Sequence, residues 1–284
     1  SWSWCDSATQ GKYLKTNSTD GDAFSDDVFR GMGQLGFNIG SASRVNNTGD
    51  NISAFSWKAG GPTYVTNNDG STTSYVSANT TAGFSIIKYT GNGTAGATVG
   101  HGLNSAPEMI ICKLCDGNGF NWIVWHRDIG TGKYLELNTS QPYQNQSSYN
   151  MFNSTAPTDS VITLGSIANT NNNTNAFRIW AWHSVEGYSR IGSYTGNGVH
   201  DEGPYINTGF RPVWLMVKKY TSGSEDWAII DAAKNPNTAH SQTIVWGNLD
   251  SAEQNNGINR LRFTSTGFKI YSTSGDPRWN SDGE

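Results

Sequence analysis

The chain has 284 residues and 35% of them are hydrophobic, so it can build a packed core. Charged residues make up only 15% and the net charge is −4, so the basic surface that nucleic acids require is missing and we expect no nucleic-acid partner. No apolar run approaches the roughly 18 residues that a membrane-spanning helix needs, so we also expect no membrane insertion.

Residues 1–62 contain short motifs that return further along the chain. The run GKYL at 11–14 matches 132–135, GFNI at 36–39 resembles GFKI at 267–270, and AFSW at 54–57 resembles IWAW at 179–182. We therefore predict a partial first β copy at 1–62. A hairpin linker follows at 63–82, with its turn at the run NNDG. A single helical turn near residues 26–31 is the one weak helix signal.

Residues 83–187 show a complete series of strand patterns, which defines the second copy. Apolar and polar residues alternate in short runs, and Gly and Asn clusters separate these runs. The predicted strands lie near 84–90, 97–101, 108–114, 122–128, 133–138, 161–166 and 176–184. This pattern is typical of an antiparallel sandwich.

A third copy follows at 188–284 with a constant offset. The run YTGNG at 89–93 recurs at 194–198, Pro107 recurs as Pro212, and Trp122 recurs as Trp227, each 105 residues further on. This copy lacks the last aromatic strand of the second copy. We therefore predict an all-β fold of tandem antiparallel β-sandwich, jelly-roll-like repeats of about 105 residues, and we expect the chain to be a segment of a longer polypeptide.

Histidines and cysteines do not form a recognisable metal or catalytic set. The histidines are His101, His126, His183, His200 and His240. None is paired at metal-ligand spacing, and we expect His101 to hydrogen-bond the backbone of a turn. Cys112 and Cys115 lie in a strand pattern, where residues three apart point to opposite faces. We therefore predict buried cysteines, no metal and no cofactor.

Carboxylates and tryptophans are the candidates for glycan chemistry. Glycosidases need two carboxylates that flank the scissile bond, and the repeat reproduces no such pair. The carboxylates considered are Asp116, Asp128, Asp201, Glu202, Asp226 and Asp231. The tryptophans that could stack on sugars are Trp57, Trp125, Trp180, Trp182, Trp214 and Trp246. We prefer core packing for the tryptophans and predict no enzyme and no catalytic residue; ligand-binding residues stay unassigned.

Several segments together resemble a repeated domain of virion proteins of tailed phages, carried especially often by marine and cyanobacterial phages. The segments are GFSI at 83–86, YTGNG at 89–93, VGHGL at 99–103, Pro107, Ile110, Ile111 and Lys113, with GKYL at 132–135 and WKAGG at 57–61. The resemblance implies a structural protein of a tail fibre, spike or capsid appendage on the virion surface, outside the cell. It implies no catalytic residue.

The same resemblance sets the expected partners and the alternatives. Other virion proteins and a host-surface glycan are the expected contacts, with variable loops at the module ends touching the host. Such appendages are commonly symmetric, so we expect a homo-oligomer, for example a homotrimer. Two alternatives stay open: a glycan-hydrolysing depolymerase of a phage tailspike, and a secreted carbohydrate-binding lectin.

Overall fold

A computed structural model describes residues 2–7, 11–33, 35–146, 150–234, 243–255, 260–271 and 277–284. Within these ranges the strand ladders are all antiparallel, which confirms the predicted all-β fold. The helices described are single turns of four residues: Ser43–Asn46 (α1), Ala168–Asn171 (α2) and Pro277–Asn280 (α3). Across the same ranges no helix is long and apolar enough to cross a bilayer.

The first copy forms a small three-stranded sheet and a hairpin. The strands are β1 (Ser3–Trp4), β2 (Lys12–Lys15), β3 (Ala23–Phe24), β4 (Phe29–Gly33) and β5 (Gly36–Ile39). The sheet order is β1-β2-β3, and β4 pairs with β5. The helical turn predicted near residues 26–31 is present only over residues 26–28, where Val28 N and Phe29 N both donate to Ser25 O at 3.0 Å. Phe29 then begins β4, and its ring is buried with Tyr13 and Val28.

An eight-stranded sheet occupies the centre of the molecule. The linker and the second copy contribute β6 (Val65–Asn67), β7 (Ser74–Asn79), β8 (Phe84–Thr90), β9 (Thr98–Gly100), β10 (Met109–Leu114), β11 (Ile123–His126), β12 (Lys133–Glu136), β13 (Gln144–Asn145), β14 (Val161–Thr163) and β15 (Ala176–Trp182). The order is β13-β12-β11-β10-β15-β8-β7-β6, while β9 and β14 form a separate pair. The predicted hairpin is present as β6 and β7, and β7 pairs with β8, so this segment is an integral part of the sheet.

Both faces of the eight-stranded sheet are buried, because β15 alternates apolar side chains on each side. Phe177, Ile179 and Ala181 face a first core, which β9 and β14 cover. Trp180 and Trp182 face a second core, which also contains side chains of the first and third copies. The sheet is therefore a buried central layer.

The third copy forms two smaller sheets around a third core. Its strands are β16 (Tyr205–Asn207), β17 (Trp214–Val217), β18 (Ala228–Asp231), β19 (Thr243–Trp246), β20 (Gln254–Asn255), β21 (Leu261–Phe263) and β22 (Gly267–Ile270). One sheet has the order β17-β18-β19-β20 and the other β16-β22-β21. Two 3₁₀ turns, Arg127–Ile129 and Ala232–Lys234, follow β11 and β18. The division of the chain into tandem copies stays a prediction.

Candidate functional site

Three tryptophans occupy the same position relative to their strands. Trp2 stands immediately before β1, Trp122 immediately before β11 and Trp227 immediately before β18. The carbonyl of each accepts a backbone N–H from the residue that follows β2, β12 or β19. These bonds are Thr16 N to Trp2 O at 3.3 Å, Leu137 N to Trp122 O at 2.9 Å and Gly247 N to Trp227 O at 2.8 Å. Trp122 and Trp227 therefore have equivalent backbone contacts, and Trp2 has the same contact at its own strand.

Each of these indoles donates to a carbonyl of a neighbouring copy. Trp122 Nε1 donates to Lys15 O at 3.2 Å, and Trp227 Nε1 donates to Glu136 O at 3.0 Å. Lys15 and Glu136 are the last residues of β2 and β12. The second copy thus binds the first as the third binds the second.

The third junction joins the two ends of the chain. Trp2 Nε1 donates to Trp246 O at 2.8 Å, and Trp246 is the last residue of β19. Trp246, which supplies the acceptor carbonyl, is therefore the last residue of its strand, as Lys15 and Glu136 are of theirs. By this contact each of the three predicted copies is joined to the other two.

Two lysines repeat the same junction. Lys113 Nζ donates to Thr19 O at 2.9 Å in the first copy and to Phe120 O at 2.6 Å in its own loop. Lys218, 105 residues later, donates to Ser140 O at 2.6 Å in the second copy and to Glu225 O in its own loop. Burial lowers the pKa of each amine to about 8, because a charged amine is disfavoured away from water.

Backbone bonds and aromatic contacts complete the junctions. Asp22 N donates to Cys115 O at 2.7 Å, and Tyr143 N donates to Tyr220 O at 2.8 Å, in equivalent places. At the first junction the Trp4 ring lies 5.1 Å from that of Trp180. Such pairs add stability beyond the area that they bury.

A buried ion cluster is specific to the first junction. Arg178 of β15 lies 2.8 Å from the Asp22 carboxylate and 3.4 Å from that of Asp6, and all three side chains are at most 9% exposed. Burial alone would lower the pKa of Arg178, but nearby negative groups, Asp6 and Asp22 among them, outweigh it and raise the pKa. The cluster therefore holds the first copy against the central sheet by charge as well as by packing.

The cysteines lie as the strand pattern predicts. Cys112 is in the first core and Cys115 is in the second, on opposite faces. Burial raises the pKa of Cys112 to about 12 and that of Cys115 to about 11, so both thiols stay protonated at neutral pH. The described ranges contain no group of three side chains that could hold a metal ion.

His101 makes the backbone contacts predicted for it. Its Nδ1 accepts from Leu103 N at 3.1 Å and its Nε2 lies 3.2 Å from Thr158 O. Burial lowers the pKa of His101. His126 accepts from Asp128 N at 3.2 Å, and burial lowers its pKa as well. These are structural roles in turns.

Two other described histidines also have local partners. His183 Nδ1 lies 2.8 Å from Ser184 O, and the exposed His200 pairs with Asp201 at 2.9 Å. His240 lies outside the described residues. The four described histidines are therefore held by nearby backbone or turn groups.

The six candidate carboxylates have local partners of their own. Four of them accept hydrogen bonds: Asp116 from Asn175 and Ala176, Asp128 from Arg127, Asp226 from Asn248, and Asp231 from Ala233. The other two form ion pairs, Asp201 with His200 and Glu202 with Lys269. These are contacts typical of turn and surface carboxylates.

The candidate tryptophans divide into buried and accessible sets. Trp125, Trp180 and Trp246 are buried, as predicted for core packing. Trp57 is 40% exposed, and its ring meets Trp214 edge-on at 5.3 Å. Both line a wide cleft, the aromatic cleft, whose volume of about 2530 Å³ extends beyond residues 51–57, residues 188–194 and β17 to β1, β4 and β5.

The sequence predicted the equivalence of Trp122 and Trp227 but missed the role of Trp2. A sequence spacing could have indicated this role. Trp2 stands 13 residues before Lys15, and Trp122 stands 14 residues before Glu136. The bond from Trp2 to Trp246 has no local signature, because it joins residues 244 apart in sequence.

No curated protein and no solved structure matches the chain. One family model matches residues 5–284, which is nearly the whole chain and includes Trp122 and Trp227 but not Trp2. The chain belongs to the family described as Domain of unknown function (DUF7483).

Proposed function

We propose that the chain is a non-enzymatic structural part of a bacteriophage virion, in a tail fibre, spike or capsid appendage. The observation that carries the proposal is the set of three tryptophan junctions, in which Trp2, Trp122 and Trp227 donate to the last residues of β19, β2 and β12. A chain that packs successive modules against each other through one recurring contact suits a rigid extracellular scaffold. The resemblance of its motifs to repeated virion domains supports the same conclusion.

The surface chemistry favours this role as well. Charged residues are scarce, and the local partners found for the candidate carboxylates and described histidines are those of turns. Loops on a rigid scaffold can vary without loss of the fold, so they suit contact with a host surface. Other virion proteins and a host glycan are the partners that we propose, and a homotrimer stays a prediction.

The test is the location of the protein on particles of a phage that encodes it. We expect the chain in the proteins of gradient-purified virions by mass spectrometry, and gold-labelled antibodies should mark the tail or the capsid surface. A protein found in the infected cell but absent from purified particles would overturn the proposal.

The accessible tryptophans favour glycan binding as a second candidate function. Trp57 and Trp214 expose ring surface at the aromatic cleft, and such surfaces can stack on sugars. Binding to a glycan array that is lost in Trp57→Ser would support a lectin. Release of soluble sugar from host envelopes by the unmodified chain would instead support a depolymerase and contradict the non-enzymatic assignment.

A further inference from the structure

A row of cations crosses the central sheet on the face of the second core. Lys113 of β10 stands opposite Arg178 of β15. Arg178 stands opposite Lys88 of β8, and Lys88 stands opposite Tyr75 of β7. Residues directly opposite each other in antiparallel strands project from the same face of the sheet. Three positively charged side chains and one tyrosine therefore lie side by side.

The last cation of this row, Lys88, differs from the other two in its partners. The Lys113 amine donates to two backbone carbonyls, and Arg178 faces two carboxylates. Lys88 Nζ lies over the ring of Tyr64, 5.1 Å from its centre, and forms no ion pair in the described part of the chain. A ring contact alone stabilises an ammonium group only weakly, so Lys88 keeps the capacity to bind an anion.

Lys88 and Arg178 line a pocket of about 1110 Å³ between the central sheet and the first copy, which we name the Lys88 pocket. The first copy contributes Ser7, Lys12 and Asp22 to its lining. Lys12 and Asp22 pair with each other at 3.0 Å. The described residues that line the pocket include no tryptophan, so the tryptophans of the aromatic cleft do not contribute to it.

The rest of the lining has the chemistry that binds sugars. Tyr75, beside Lys88, is 48% exposed and offers a ring face on which a sugar can stack. The Tyr64 hydroxyl is shielded from solvent and has no hydrogen-bond partner among the described residues. Burial raises the pKa of Tyr64, so this hydroxyl stays protonated and can donate to a bound oxygen. Four aliphatic hydroxyl side chains also line the pocket: Ser7, Thr72, Thr73 and Thr90.

The charges of the pocket favour a ligand with a single negative charge. Asp22 and Asp116 line the pocket together with Lys88. A phosphate ester carries about two negative charges at neutral pH and would be repelled by these carboxylates. A sugar carboxylate carries one charge, which matches the one ammonium group that lacks an ion pair. The lining therefore selects an acidic sugar over a phosphorylated one.

We propose that the Lys88 pocket binds a uronic acid unit of a polysaccharide, with the carboxylate on the Lys88 ammonium group and the sugar ring against Tyr75. The neighbouring hydroxyl side chains would bind the hydroxyls of the sugar. The proposal gives a site and a sugar class to the glycan contact proposed above, and it rests on that contact only for the source of the sugar.

The test is isothermal titration calorimetry of the full chain with short uronic acid oligomers at low ionic strength, where charge contacts are least screened. The probes are oligomers of galacturonate, glucuronate, mannuronate and guluronate. We expect saturable binding of at least one of them. The methyl ester of that oligomer, which has the same ring but no charge, should bind about tenfold more weakly, because a charge-assisted hydrogen bond is lost.

Two matched pairs of variants assign the contacts. Lys88→Met keeps the length of the side chain without its charge and should weaken binding of the oligomer by about tenfold, whereas Lys88→Arg should retain it. Tyr75→Ser removes the ring face and should weaken binding, whereas Tyr75→Phe should retain it. Trp57→Ser alters the aromatic cleft and should leave this binding unchanged. Far-ultraviolet circular dichroism checks that each variant is folded.

Each outcome supports or overturns the inference. Binding that is weakened in folded Lys88→Met and retained in Lys88→Arg supports it. Failure of the parent chain to bind any of the uronic acid oligomers overturns it, as does equal binding of the acid and its methyl ester. Binding that survives in Lys88→Met but is lost in Trp57→Ser would place the sugar in the aromatic cleft instead. None of these results depends on where the protein resides, so the proposed function is tested separately.

Discussion

The second and third copies close one turn in the same way, and the described residues include a sheet strand beside that turn in the second copy. In the second copy, Asn92 N donates to Asn171 Oδ1 at 2.9 Å, and Asn171 Nδ2 donates onward to Thr94 O at 3.0 Å. In the third copy, Asn197 N donates to Asn280 Oδ1 at 2.9 Å, and Asn280 Nδ2 donates to Val199 O at 2.9 Å. The turn is therefore closed in the same way in both copies, and in the second copy β15 lies beside it.

A segment becomes a strand when a neighbouring strand supplies its ladder hydrogen bonds. Residues 84–90 form β8 against β15, whereas residues 189–195 keep the tyrosine and the turn but form no ladder. Gly192, which stands in the place of Ile87, also lowers the strand propensity of this segment. Pairing and packing therefore decide this segment more than its own sequence does.

The largest expected effect tests whether the junctions are equivalent. Trp122→Ala should lower the free energy of unfolding by about 3–5 kcal/mol, because it opens a cavity in the second core and removes an indole donor. Trp227→Ala should cost somewhat less, since Trp227 has one indole hydrogen bond whereas Trp122 has two and also stacks on Trp180. Urea denaturation measures both.

The matched control keeps an aromatic ring and removes the donor. Trp122→Phe should cost less than Trp122→Ala, with a penalty that includes about 1–3 kcal/mol for the carbonyls left without their donor. An alanine variant of either tryptophan that costs under about 1 kcal/mol would show that its junction does not stabilise the fold.

Strand content was predictable because it depends on local alternation. The strand predicted at 84–90 has those bounds as β8, and the one predicted at 176–184 runs over Ala176–Trp182. The helical turn predicted near residues 26–31 is confined to residues 26–28, because Phe29 already pairs in β4, and a segment this short carries little periodic signal. The CxxC pair was placed correctly on two faces by strand geometry alone.

The junction contacts could be predicted only in part. A constant offset predicted that Trp122 and Trp227 are equivalent, yet it could not say which carbonyls their indoles reach. Trp2 and Trp246 meet only after three modules have packed, so no local pattern encodes their bond.

The turn closure allows a sharper test of the two copies. Asn171→Ala should lower the free energy of unfolding by about 1–3 kcal/mol, because the buried Asn171 joins Asn92, Thr94 and Gly165. Asn280→Ala should cost less, since the described bonds of the Asn280 side chain reach Asn197 and Val199, whereas those of Asn171 also reach Gly165. Thermal unfolding of both variants checks the order, and a larger loss from Asn280→Ala would contradict the idea that the loss follows these bonds.

The smallest expected effect is a pH dependence shared by the lysines of two junctions. The pKa of Lys113 and that of Lys218 are about 8 in the folded chain, whereas the ordinary pKa of a lysine is 10.5. Between these values the unfolded chain holds more protons, so the free energy of unfolding rises with pH through this window. Below pH 8 both states are charged and the slope disappears. Solvent screening reduces the gain to about 1 kcal/mol for each lysine.

The measurement compares each lysine with its methionine variant by urea denaturation at several pH values. Lys113→Met and Lys218→Met should each lose about half of the rise between pH 8 and 10.5, because the other lysine remains in each variant. The buried thiols of Cys112 and Cys115 contribute in the opposite direction, because the pKa of each is raised by burial; this contribution is common to parent and variants and cancels in the difference. A slope that falls in one variant and is unchanged in the other would show that the two junctions, alike in hydrogen bonding, differ in how far each excludes water.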